Sequence, residues 1–113
     1  MSSNRHTSAL TPSDLAASRD GRTIIDVRKP EARRKSGYAV PGSVWLHPFE
    51  AAGWAPAYRG RPVVVYCVHG HEVSQAVRGF LDDMGVDAMI LDGGFEAWRE
   101  AGLPIEPVEA RDA

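Results

Sequence analysis

Residues 62–86, PVVVYCVHGHEVSQAVRGFLDDMGV, hold a complete strand, loop and helix. The run Val63-Val64-Val65-Tyr66 is apolar at every position. A strand of that kind suits the centre of a parallel sheet, where helices cover both faces. Beyond the loop the spacing changes. Val73, Ala76, Val77, Phe80, Leu81 and Met84 recur at i, i+3, i+4, i+7, i+8 and i+11, which marks an amphipathic helix. Gly85 ends it as a Schellman-type stop, with Val86 in reach of Leu81.

The same units repeat on either side. Thr23 to Val27 and Ala88 to Leu91 read as short buried strands, compact and rich in β-branched or apolar residues. Thr11 is an N-cap for a first helix, with Pro12 at its first position, Asp14 as the capping acid and Leu10 and Leu15 as a hydrophobic staple; that helix should end near Asp20-Gly21. Pro30 starts a second helix over 29–37 whose outer face carries Arg33, Arg34 and Lys35, a solvated basic run. Residues 39–48 read as a loop with a brief strand at 43–46, and 49–59 as a short helix and loop. Asp92-Gly93-Gly94 turns the chain into a last helix from Phe95 to Ala101, with Phe95 and Trp98 packed in the core. Strands alternating with helices predict an α/β fold with a central, mostly parallel sheet flanked by helices in three layers.

Composition narrows the function. At 113 residues, 43% hydrophobic and 25% charged, the chain fits one soluble domain, expected at 10–107 between flexible tails at 1–9 and 108–113. A net charge of −2 speaks against a general nucleic-acid binder. No apolar run is long enough to span a membrane, and the polar N-terminus lacks a signal-peptide core. The one cysteine, Cys67, rules out an internal disulfide or a multi-cysteine zinc site, and a reducing cytoplasm is the expected compartment.

Ligands of open α/β sheets bind beyond the carboxyl ends of the strands. Asp26 with Arg28, Cys67, and Asp92 with its two glycines occupy those positions. Cys67 stands just before a helix N-terminus, where loop amides and the helix dipole favour a thiolate nucleophile, and Gly70 lets the loop curl without a side-chain clash. The other reading of Cys67 is a buried structural cysteine. His69 and His71 alternate with it, yet nothing completes a metal set, and neither metal nor cofactor is expected. Trp45 and Trp54 either line a pocket rim or cover the core.

Three segments resemble the single-domain rhodanese family of sulfurtransferases. Ile24-Ile25-Asp26-Val27-Arg28-Lys29-Pro30-Glu31 is similar to its Asp-Val-Arg segment, and Val40-Pro41-Gly42-Ser43 resembles a remnant of its His-Ile-Pro-Gly-Ala. Val64-Val65-Tyr66-Cys67-Val68-His69-Gly70 resembles its active-site strand and cysteine loop. Leu91-Asp92-Gly93-Gly94-Phe95-Glu96-Ala97-Trp98, continuing through Gly102-Leu103-Pro104, is similar to its C-terminal signature. The resemblance implies a rhodanese-like three-layer domain. It also implies catalysis by Cys67, which takes the outer sulfur of a donor as a persulfide and passes it to a nucleophilic acceptor. Val68, His69, Gly70, His71, Glu72 and Val73 would form the substrate-binding loop, with Asp26 and Arg28 in support. The partners implied are a small sulfur donor, thiosulfate or a related persulfide or thiol compound, and cyanide, a low-molecular-weight thiol or a protein dithiol as acceptor.

The chain departs from the family at Glu72, where many loops carry Arg, Lys, Thr or Ser. A carboxylate there repels an anionic donor and disfavours the thiolate. A neutral imidazole at His69 or His71 replaces the missing charge poorly, whereas a protonated one at lower pH would restore it. Tyr38-Ala39 stand where the family has Gly-His. Two alternatives follow: a sulfur-carrier or redox-sensing binding module of the same fold with little turnover, and phosphatase or arsenate-reductase chemistry. The latter wants a longer loop ending in arginine, whereas Val73 and Ser74 follow Glu72 here.

Overall fold

The structure is a computed structural model that describes residues 9–19 and 21–108. The elements are β1 (Ala9–Leu10), α1 (Pro12–Ala17), β2 (Thr23–Asp26), α2 (Pro30–Ser36), β3 (Tyr38–Ala39), β4 (Val44–Trp45), α3 (Ala51–Trp54), β5 (Val63–Tyr66), α4 (Glu72–Asp83), β6 (Ala88–Leu91), α5 (Gly94–Glu100) and β7 (Glu106–Pro107). Five strands pair in the order β1-β6-β5-β2-β4, every pair parallel. The central strand is β5, as its unbroken apolar run requires.

The physical reason is visible in the two cores. Alternate residues of one strand point to opposite faces. Val63 and Val65, with Ile25 and Ile90, pack under Val77 and Leu81 of α4. Val64 and Tyr66, with Ile24 and Leu91, pack under Leu15 of α1 and Phe95 and Trp98 of α5. Each inner strand therefore needs apolar side chains at both parities, and the three-layer α/β architecture follows. Among the described residues, no helix is long and apolar enough to cross a membrane.

The local signals are realised closely at several ends. The Thr11 hydroxyl accepts the Asp14 amide at 3.0 Å. Gly85 has φ +83°, and the Val86 amide returns to Leu81 O at 2.9 Å, closing the Schellman stop. Other expectations shift. The first helix ends at Ala17, three residues before Asp20, which lies outside the described residues. The expected tails fall mostly outside the description too, but Ala9 pairs with Ile90 in β1, and Val108 is buried with its amide on Gly37 O at 3.0 Å. The small antiparallel pair β3·β7 has no strong sequence signal, since each strand is two residues long. Arg33 corrects the picture of a solvated basic face: it is buried, while Arg34 and Lys35 are exposed.

Candidate active site

The parallel register sets the carboxyl end of β2 beside that of β5, with Asp26 opposite Tyr66. Cys67 follows Tyr66, and the loop from Val68 to His71 leads into α4. This loop is held from behind by the start of α5. The Phe95 amide donates to Cys67 O at 2.9 Å, and the Glu96 amide to Val68 O at 3.0 Å. Two glycines permit that approach. A Cβ on Gly94 (φ +66°) would lie 2.5 Å from Val68 O, and one on Gly70 (φ +77°) would lie 2.9 Å from the Gly93 amide nitrogen. The Gly93-Gly94 turn is thus the backing of the cysteine loop, and Gly70 is needed for that contact.

Cys67 is buried, and its thiol donates to the Ser74 hydroxyl at 3.2 Å. Its sulfur opens onto a cavity of about 430 Å³. Val68, His69, His71, Glu72 and Val73 line this cavity with Cys67, and so does Arg28. Gly70 and Asp26 do not line it; they act by holding the backbone and Arg28. Lys29 and Ala32 join the lining although neither was expected at the site. The signal that could have found Lys29 is topological: it sits three residues past the end of a strand that neighbours β5. Among the described residues, the amides from Val68 to Ser74 reach no backbone carbonyl, so they remain available to an anion near the sulfur. The two imidazoles lie with ring centroids 6.4 Å apart, and no metal-holding group of three or more His, Cys, Asp or Glu occurs among the described residues.

Beneath the cavity Asp26 organises two arginines. Its carboxylate accepts from Arg28 Nε at 3.0 Å and Nη2 at 2.7 Å, and from Arg33 Nε at 3.2 Å. Arg28 Nη2 also donates to Tyr38 O at 2.7 Å, and its guanidinium lies 4.6 Å from the Phe95 ring centroid. Burial opposes the Arg28 charge, but the hydrogen bond and charge of Asp26 outweigh it, so the guanidinium pKa lies above its ordinary value. Of the two arginines, Arg28 lines the cavity. Trp45 donates to Arg28 O at 2.9 Å, and Trp54 packs against the core under α4.

The sequence model of the Rhodanese-like domain matches residues 11–101. The chain belongs to the rhodanese family. A thiosulfate sulfurtransferase GlpE of Pseudomonas syringae pv. syringae is 36% identical over 103 residues, covering 88% of this chain and 93% of that protein. A thiosulfate sulfurtransferase GlpE of Actinobacillus succinogenes is 46% identical over 85 residues, 74% of each chain. A rhodanese-related protein from Thermoplasma volcanium superposes with a TM-score of 0.76 at 25% identity, covering 87% of this chain and 96% of that one. A Rhodopseudomonas palustris protein described as a possible tyrosine phosphatase superposes at 0.79 and 29% identity, covering 92% of this chain and 88% of that one. In this rhodanese-like domain the loop carries Glu72 and Val73 where phosphatase chemistry wants a closing arginine.

Proposed function

We propose that this protein is a sulfurtransferase that carries sulfane sulfur on Cys67, with thiosulfate or a related persulfide as donor. The observation that carries this reading is a single buried thiol facing a cavity whose rim is a loop of unsatisfied amides. The relatives named thiosulfate sulfurtransferase support it.

In the first half-reaction the Cys67 thiolate attacks the outer sulfur of thiosulfate. The new S–S bond forms as the donor's S–S bond breaks, and sulfite leaves with the electron pair. In the second, an acceptor such as cyanide attacks the outer sulfur of the persulfide, thiocyanate leaves, and the thiolate is restored. No oxidant or cofactor enters the balance. The loop amides stabilise the anionic sulfur in both resting forms. Arg28 and Lys29 attract the donor anion, and Glu72 opposes them. The chain holds no second cysteine, so the acceptor comes from outside it: in a reducing cytoplasm, a low-molecular-weight thiol or a protein dithiol.

Intact mass tests the reading. Incubation with thiosulfate should add one sulfur, and cyanide should remove it. No gain from thiosulfate or from a persulfide donor would overturn it. Gain without removal by cyanide or thiols would instead favour a sulfur carrier or sensor with little turnover.

A further inference from the structure

We propose that Ser74 is a catalytic residue of this site: its hydroxyl turns from acceptor to donor and holds negative charge on the Cys67 sulfur. The inference rests on Cys67 being the nucleophile, and it concerns the residue immediately after the expected loop.

Ser74 is completely buried in the first turn of α4, where an apolar side chain would match its surroundings. A serine inside a helix ordinarily bonds back to the carbonyl four residues earlier. Here that carbonyl, Gly70 O, receives the Gln75 side-chain amide at 3.2 Å, and the Ser74 hydroxyl faces sulfur instead. With a protonated thiol, S–H donates to Oγ. Once the proton leaves for solvent, sulfur has only lone pairs. The contact then stays favourable only if the hydroxyl rotates and donates O–H to S⁻, a charge-assisted bond at a buried sulfur.

The bond also separates the two resting forms. In the persulfide the charge sits on the outer sulfur, about 2 Å from the inner one. Ser74 reaches the inner sulfur, which is then neutral. It therefore stabilises the thiolate more than the persulfide. That makes Cys67 a better nucleophile at neutral pH and a better leaving group when the acceptor takes the sulfur.

Because Cys67 is the chain's one cysteine, alkylation by iodoacetamide reports on it alone. At pH 7 the rate in Ser74→Ala should fall about tenfold, the worth of one hydrogen bond to a charged group. The rates should approach each other at high pH, where the thiol is ionised without help. Ser74→Thr should follow the wild-type profile. Should the alanine variant not fold, Ser74→Thr and Ser74→Val still decide, since they match in shape and differ in the hydroxyl. Profiles independent of the hydroxyl in folded variants overturn the role of Ser74. Thiosulfate loading of the wild type, followed by mass, fails separately if the sulfur-transfer reading itself is wrong.

Discussion

Glu72 and Lys29 face one cavity with opposite charges, and both are exposed. Their effect on a dianionic donor should be of ordinary surface magnitude, about 1 kcal/mol or roughly fivefold. Glu72→Arg should lower the thiosulfate KM several-fold, and Lys29→Ala should raise it, with kcat little changed in either. Both effects should shrink between low and high salt; steady-state kinetics at two ionic strengths checks this, and an unchanged KM in both variants would mean the donor does not bind between them. Cys67→Ser should lose sulfur loading by intact mass while keeping its thermal midpoint within a few degrees. At this scale the placement of Cys67 and Glu72 beside one cavity, and the close backbone approach at Gly70, were legible, because each is local to the loop. The place of Lys29 was not, because it depends on a neighbouring strand.

The elements are joined by specific polar contacts. The Tyr66 hydroxyl on β5 accepts the Val40 amide at 3.1 Å and lies 3.0 Å from Ser43 Oγ, tying the central strand to the segment after β3. Burial, reinforced by the Asp26 charge, pushes the Tyr66 pKa well above its usual value. Below about pH 10 both folded and unfolded chains keep the proton, so the contacts contribute in full. Above it the unfolded chain ionises while the folded one does not, and stability falls, at most by about 1.4 kcal/mol per pH unit. Urea midpoints from pH 9 to 12 should therefore drop more steeply for wild type than for Tyr66→Phe. The substitution should itself cost about 1–2 kcal/mol at pH 7, since it leaves the buried Val40 amide short of its acceptor. At the loop's backing, Gly94→Ala forces a Cβ to within 2.5 Å of Val68 O. It should cut sulfur transfer far more than it lowers the melting temperature, because the displaced segment carries Cys67. An active Gly94→Ala enzyme would show that the backing does not set the loop.

Across the whole molecule, the Asp26 carboxylate joins the end of β2 to the middle of α2 and, through Arg28, to β3. Removing one member of a buried ion pair leaves the other charge uncompensated, here that of Arg28 above all, and the typical cost is about 3–5 kcal/mol. Asp26→Asn should lower the urea midpoint accordingly, while a loss under about 1 kcal/mol would show that water or another group compensates the arginines. The strand–loop–helix order, the central place of β5 and the position of the thiol were all determined by the sequence alone. Each depends on residue types within a turn or two: an apolar run, a 3.6-residue period, a glycine stop. Only the tertiary structure decided that Arg33 is interior, that Arg28 and Lys29 share a cavity with Cys67, and that Ser74 meets the sulfur. These facts arise from how strands, loops and helices pack together in space, and no local pattern encodes the distances between the side chains.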